Sequence, residues 1–315
     1  MRAATIVDGR IEVRDHPDPE PGLGQILVQV RAAGMNGADL IQVKGGYPAP
    51  PGWPQDIPGL ELAGEVVAAG PGTSRFSPGD RVMAVVGGGA QAQLAVIHER
   101  EAMPVPGGLS WPEAGGLPEV FTTAHDALFT QAGLQMGERL LVHGAAGGVG
   151  TAAVQLGVAT GASVVASVRN PDQRPAVAAF GATVVDPSEV ADHGPYDVII
   201  ELVGAVNLDV NLRSLATGGR ITVIGTGAGA TGEINLGLLM IKRARMYGST
   251  LRARPLEGKG GAARAVEAHV LPLFESARVK VPVCDTFPLE RAAEAYERFA
   301  AGSKLGKVVI TMGDD

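Results

Sequence analysis

The residues with the clearest chemical meaning form one run, Leu140–Gly150 (LLVHGAAGGVG). An apolar stretch leads into Gly144, Gly147 and Gly150, and the following residues, Gly150–Thr160, read as a helix ended by Gly161. Glycine lets a chain turn sharply and lets its backbone lie against a bound group. A helix N-terminus adds unpaired N–H groups at the positive end of its dipole. A glycine triplet alone is weak evidence, because a tight turn packing helix on strand needs the same residues. Here a strand precedes it, a helix follows and another strand comes about 20 residues on, which is the setting of a dinucleotide pyrophosphate.

The end of that next strand, Ser163–Val168, bears on which dinucleotide. A site for the 2′-hydroxyl form places Asp or Glu there. This chain has Ser167, Val168, Arg169 and Asn170, with Arg174 a turn later. Arginine and serine would attract and hydrogen-bond a 2′-phosphate that a carboxylate would repel. The expected cofactor is therefore NADPH, with Arg169 and Arg174 as solvated surface charges the competing reading.

The elements that position these residues divide the chain. The first 115 or so residues read as short strands between Gly/Pro turns, among them Gln25–Arg31, Ala63–Ala69 and Asp80–Val86. From about Trp111 helical patterns alternate with apolar runs at Arg139–His143, Ser163–Val168, Val198–Val203 and Arg220–Ile224. Such alternation implies parallel pairing and a doubly wound sheet. A helix at Leu289–Ala301 and a strand at Gly306–Thr311 close the chain. The fold class is α/β: a Rossmann doubly wound parallel sheet plus a β-barrel domain. The expected boundaries are 1–120, 121–275 and 276–315.

Composition narrows the function classes. Of 315 residues 45% are hydrophobic and 19% charged, enough apolar mass for a sizeable core. The formal charge of −7 argues against nucleic acid and anionic membrane as partners. The single cysteine, Cys284, can form no disulfide within the chain. Residues Met1–Asp15 carry charge throughout, unlike a signal peptide, and no run approaches the ~18 apolar residues of a membrane span. A cytoplasmic location is the expectation.

Several stretches are together specific for one family. They are Asn36–Tyr47 (NGADLIQVKGGY), Pro58–Glu65 (PGLELAGE), Gly79–Val82 (GDRV), Leu117–Ala124 (LPEVFTTA), His143–Gly150 (HGAAGGVG), Gly248–Arg252 (GSTLR) and Gly306–Val308 (GKV). Through them the chain resembles the quinone oxidoreductase branch of the medium-chain dehydrogenase/reductase superfamily along essentially its whole length. The resemblance implies a GroES-like catalytic domain, formed by the N-terminal part and the last 40 or so residues, around a central Rossmann domain. Zinc-dependent relatives read Gly-His-Glu where this chain reads Gly59-Leu60-Glu61, and leucine coordinates no metal. None of the six histidines is paired at ligand spacing. No metal is expected.

The resemblance also implies site residues. Asn36 falls near nicotinamide and ribose, and its amide could donate and accept. Asp39, three residues on, would fix the local loop, or serve only as a helix cap. Tyr47 would stand at the cleft mouth, to stack on an aromatic substrate or donate its hydroxyl. Thr123 would approach the nicotinamide ribose. The expected cofactor-binding set is Ala146, Gly147, Gly148, Val149, Ser167, Arg169, Arg174, Val203, Gly204, Gly225, Thr226, Ser249, Leu251 and Lys307, with Arg252 beside it and Lys307 near the phosphates. The implied reaction is NADPH-dependent reduction of a quinone by hydride or single electrons. A rival is reduction of an activated carbon–carbon double bond in an enone, alkenal or enoyl thioester. A third reading, an RNA-binding or lens-crystallin role known among relatives, has the acidic balance against it. Finally, Arg245–Leu251 would supply a sheet edge that pairs across a homodimer.

Overall fold

The computed structural model describes residues 1–313. They form two compact units, one of residues 1–122 and 251 onward, the other of residues 123–250.

The first unit begins with a hairpin, β1 (Arg2–Val7) and β2 (Arg10–Asp15), turned by Asp8 and Gly9, both at positive φ. Next come β3 (Gln25–Gly34), α1 (Gly37–Val43), β4 (Glu61–Ala69), β5 (Arg81–Val85), β6 (Leu94–His98) and β7 (Ala102–Pro104). Strand β3 organises this unit. One of its edges carries β4, while the other is shared by β6 along Gln25–Gln29 and by the chain's last strand along Ala32–Gly34. Bulges at Leu27/Val28 and Val30/Ala32 bend it enough to serve three neighbours. Short helices α2 (Trp111–Gly115) and α3 (Pro118–His125) follow. Gly115 packs on β3 so closely that a Cβ there would meet Ala32 main chain at 2.7 Å.

The second unit holds β8 (Arg139–Val142), α4 (Gly148–Thr160), β9 (Ser163–Ser167), α5 (Arg174–Ala178), β10 (Thr183–Val185), β11 (Tyr196–Glu201), α6 (Leu208–Ser214), β12 (Leu215–Val223), α7 (Leu236–Lys242) and β13 (Arg245–Gly248). All six strands pair in parallel in the order β10-β9-β8-β11-β12-β13. The strands read as near-continuous Val, Ile and Leu because both faces are covered, and Leu140, Leu141, Val142, Ile199 and Ile200 are fully buried. The doubly wound sheet is thus as expected. Helix α4 starts at Gly148, two residues before the expected Gly150.

The chain rejoins the first unit at Leu251, earlier than the expected 276. Helix α8 (Leu256–His269) explains the difference: Arg264 near its end donates to the carbonyls of Arg100 and Ala102, beside β7. Then come α9 (Leu271–Glu275), β14 (Val283–Pro288), α10 (Ala292–Ala300) and β15 (Lys307–Thr311), the strand that lies against β3. Among the described residues no helix is long and apolar enough to cross a membrane.

Candidate functional site

Two clusters hold the expected site residues, one in each unit. In the second unit they gather at the carboxyl ends of the parallel strands, where open α/β sheets bind ligands. The chain leaves β8 at Val142, turns through Gly144 and Gly147, and enters α4. Gly147 stands at the N-cap with no side chain to satisfy the first-turn N–H groups, and no acidic residue occupies that turn. Ala146, Gly148 and Val149 are partly exposed on this loop. A Cβ on Gly150 would meet the carbonyl oxygen of Gly144 at 2.4 Å, so only glycine permits the fold of this loop. Ala145 N–H donates to the carbonyl of Ser167 at 3.2 Å, tying the loop to the end of β9. A helix terminus free of carboxylates and open to solvent fits a pyrophosphate.

Beyond β9, Ser167 is buried and Arg169 is exposed. Arg169 has no ion-pair partner among the described residues. Arg174 differs from the expectation. Its Nε donates to Val168 O and its Nη2 pairs with Asp186 at 2.6 Å, so its charge is largely committed within the chain. Two Ser188 donors, the N–H and the hydroxyl, and then the Arg174 pair hold the Asp186 carboxyl below its usual range. Gly225 and Thr226 follow β12, Gly225 partly exposed and Thr226 exposed. Ser249, after β13, donates its hydroxyl to Asp126. Thr123 is buried in α3.

Strand β11 was expected to run to Val203 but stops at Glu201, because the Glu201 carboxylate captures the chain that follows. Its Oε1 accepts from the N–H groups of Val203 (2.7 Å) and Gly204 (2.8 Å) and from Asn207 Nδ2 (3.3 Å). Its Oε2 accepts from Asn211 Nδ2 at 2.7 Å, and Asn211 Oδ1 faces His143 Nε2 at 2.7 Å. Glu201, Asn211 and His143 are all buried. None of them stands among the expected site residues. Their sequence signals are faint: a lone acid ending an apolar run, and a histidine just before the glycine loop.

The first unit's cluster centres on Lys307. Its side chain is 2% exposed, and its ammonium donates to Glu61 Oε1 (2.5 Å), Met35 O (2.7 Å) and Asn36 Oδ1 (2.9 Å). An ammonium has three protons and all three are used, so the expected phosphate contact is corrected: Lys307 neutralises buried Glu61 instead. Glu61 Oε2 accepts the Glu119 N–H at 2.8 Å. Asn36 gives its Nδ2 protons to Glu61 Oε1 (2.9 Å) and Gly34 O (3.3 Å). It therefore offers a ligand only an Oδ1 lone pair, not the donor and acceptor expected of it.

Asp39 is fully buried, so it touches no substrate. Its carboxyl accepts from Asn36 N–H (2.7 Å) and Gly59 N–H (3.2 Å), joining the start of α1 to the Gly59-Leu60-Glu61 segment. Burial pushes its pKa up to about 7 and Glu61 adds to the rise, while the Asn36 N–H bond and the charges of Lys307 and Arg252 oppose it. Arg252 also acts structurally. Its Nε donates to Gly87 O (2.7 Å), its Nη1 to Tyr47 O (2.8 Å) and its Nη2 to Gln42 Oε1 (2.5 Å), while its guanidinium lies 4.8 Å from the centre of the Tyr47 ring. Arg252 clasps the Tyr47 loop, and leaves the half-buried Tyr47 hydroxyl without a hydrogen bond among the described residues. Leu251, beside it, is 4% exposed and lines a small cavity with Thr122, Met103 and the buried Lys259–Glu101 pair.

Comparison with known proteins agrees with this architecture. Residues 22–107 match the alcohol dehydrogenase GroES-like domain, and residues 148–267 match the zinc-binding dehydrogenase family. The chain is 32% identical to a quinone oxidoreductase of Rattus norvegicus, over 93% of this chain and 91% of that protein. It is 31% identical to a quinone oxidoreductase of Pseudomonas aeruginosa, over 95% of each. It is also 34% identical, over 92% of its length, to the spectinabilin polyketide synthase system protein NorB of Streptomyces orinoci, but spans only 13% of that protein. Among solved structures, an alcohol dehydrogenase superfamily protein from Novosphingobium aromaticivorans superposes with a TM-score of 0.89 at 29% identity, covering 99% of this chain and 100% of that one. Fold and site together define a medium-chain dehydrogenase/reductase, an oxidoreductase. The chain belongs to the quinone oxidoreductase branch of that superfamily.

Proposed function

We propose that this chain is an NADPH-dependent quinone reductase that works without metal. The observation that carries the reading is similarity over nine-tenths or more of both chains to quinone oxidoreductases. The strand-end face of the second unit supports a dinucleotide: the loop 144–150 and the open start of α4 would hold the pyrophosphate. Exposed Arg169, with no carboxylate beside it on Ser167–Asn170, favours the 2′-phosphate form. Bound there, NADPH supplies the hydride, and the protein supplies position and exclusion of water.

The donor set does not fit a metal. Leu60 is apolar and buried, Glu61 is neutralised by Lys307, and the Cys284 thiol donates to Lys307 O at 3.0 Å. The residues left for the substrate side are the Asn36 carbonyl, as an acceptor, and the Tyr47 ring and hydroxyl. The Tyr47 hydroxyl can donate its proton to a reduced quinone oxygen.

Reduction of an activated carbon–carbon double bond is the second reading, favoured by the polyketide synthase relatives. Purified protein treated with chelator, given NADPH or NADH with 9,10-phenanthrenequinone or a 2-alkenal, separates the two. Quinone-dependent oxidation of NADPH faster than of NADH is expected. Turnover with the alkenal alone would replace the quinone reading, and preference for NADH would overturn the assignment of Arg169.

In solution the chain is proposed to pair with a second copy along β13. This strand has only β12 as a neighbour among the described residues, and apolar Leu236, Met240, Ile241 and Met246 lie exposed on α7 and β13.

A further inference from the structure

We propose that Glu201 is a positioning residue which holds three strand ends at the dinucleotide face in one arrangement, with Asn211 and His143 as its relay. The inference rests on the reading of that face as the cofactor site. Strands β8, β11 and β12 are neighbours in the sheet, and β11 ends at Glu201 itself. Its side chain binds the Val203 and Gly204 N–H groups at 2.7 and 2.8 Å. Its own carbonyl accepts from Ile224 and Gly225 at 2.9 and 3.1 Å, fixing the turn out of β12. Through Asn211 it reaches His143, the residue that opens the glycine loop. Two residues of the expected cofactor-binding set, Val203 and Gly204, are thus held by the Glu201 side chain, and a third, Gly225, by the main chain of the same residue.

The turn it shapes has no slack. Gly204 has φ +139°, and a Cβ on it would meet Gly229 O at 2.8 Å. Ala205 N–H donates to Gly229 O and Ala228 N–H to Val203 O, both at 2.8 Å, so the exposed segment after β12 is moored to the same turn. A carboxylate suits this place because it only accepts, and here four donors converge on it.

The relay has a fixed polarity. A carboxylate must receive Asn211 Nδ2–H, so Asn211 Oδ1 faces the ring and His143 carries its proton on Nε2. Burial lowers the His143 pKa, with Glu201 opposing, so the ring is neutral at pH 7. Glutamine at 201 can still accept from Val203 and Gly204 through its oxygen, but its amide nitrogen must then donate to Asn211. Asn211 turns over, and the His143 proton moves to Nδ1.

The test compares Glu201→Gln with Glu201→Leu. Amide exchange at Val203 and Gly204, 15N shifts of the His143 ring and titration of NADPH fluorescence are the readouts. E201L should exchange those amides faster and bind NADPH at least about tenfold more weakly, as expected for losing hydrogen bonds to a buried charge. E201Q should keep the amides protected, bind NADPH within about threefold of the parent, since both N–H bonds survive, and show His143 protonated on Nδ1. E201L with parental NADPH affinity and unchanged amide protection would overturn the positioning role, even if its melting temperature fell. Should E201L fail to fold, E201Q decides alone: a His143 ring still protonated on Nε2 rules out the relay. If the parent binds neither NADPH nor NADH, the reading of the face fails, whereas exchange and ring shifts still decide what Glu201 holds.

Discussion

Asp39 and Lys307 show what burial does to a residue whose type is plain in the sequence. Lys307 is read first as a group near the phosphates and Asp39 as one that fixes its loop or caps a helix, and both face inward, each with a partner beyond its own segment. Lys307 is 246 positions from Glu61, and no local spacing announces that pair. Motif matching finds the residue, whereas the direction of its side chain is set by tertiary contacts. Asp39 carries a consequence that can be measured. Its carboxyl has a folded pKa of about 7 against an ordinary value of 3.8. Between those values the folded chain holds a proton that the unfolded chain has released, so stability falls as pH rises through that window and levels off above about pH 7. The loss is up to about 4 kcal/mol across the window. Lys307 and Arg252 act against it, and Glu61 and Tyr296 face the same carboxyl. Asp39→Asn can still accept one N–H through its amide oxygen and has nothing to ionise. Relative to the parent it should gain stability from pH 5 to pH 8, read from urea midpoints at each pH. Parallel profiles for the two proteins would show that Asp39 stays ionised throughout.

At the scale of elements, the same sequence patterns succeed where one element carries its own signal. The glycine loop, α4, and strands β8, β9 and β12 are legible because apolar runs and glycines sit next to one another in the chain. Strand β11 is legible except at its end, where the Glu201 side chain overrides the apolar run at Leu202 and Val203. Strands β6, β7 and β10 are short and depend on neighbours from other parts of the chain, and so leave no periodic trace. Two glycines of α4 separate a functional constraint from a packing one. At Gly150 an added methyl runs into the Gly144 carbonyl at 2.4 Å and the Ala145 Cα at 2.6 Å, both main chain. At Gly157 it meets the ends of Leu140 and Val164 side chains, at 2.6 and 3.0 Å, which can shift. Gly157→Ala should therefore cost about 1–3 kcal/mol of stability and still bind NADPH. Gly150→Ala should not saturate at NADPH concentrations that fill G157A. Calorimetric titration of both variants checks this, and equal affinities would mean that the loop does not need its tight turn to take the dinucleotide.

For the whole molecule the open question is how the sheet of the second unit ends. A parallel sheet exposes a row of N–H and C=O groups at each edge, and proteins commonly blunt such edges with charges, prolines or a covering element. At β10 the edge strand is three residues long. At β13 the strand has Arg245 at its start but Met246 beyond it, and α7, packed on β12, adds Leu236, Met240 and Ile241, which are 67%, 73% and 73% exposed. Scattered apolar side chains are normal on a surface, but a cluster beside an unpaired edge is what a self-complementary interface requires. A net charge of −7 keeps copies of the chain apart at long range, so apolar contact must supply the attraction. Light scattering at micromolar concentration should therefore give twice the 32.2 kDa of one chain. Met240→Glu with Ile241→Glu should bring the mass down to a single chain without lowering its own melting temperature, because both side chains face solvent within the chain. A parent that scatters as one chain would refute the dimer. A dimeric M240E/I241E would show that the β13 edge holds it without help from α7.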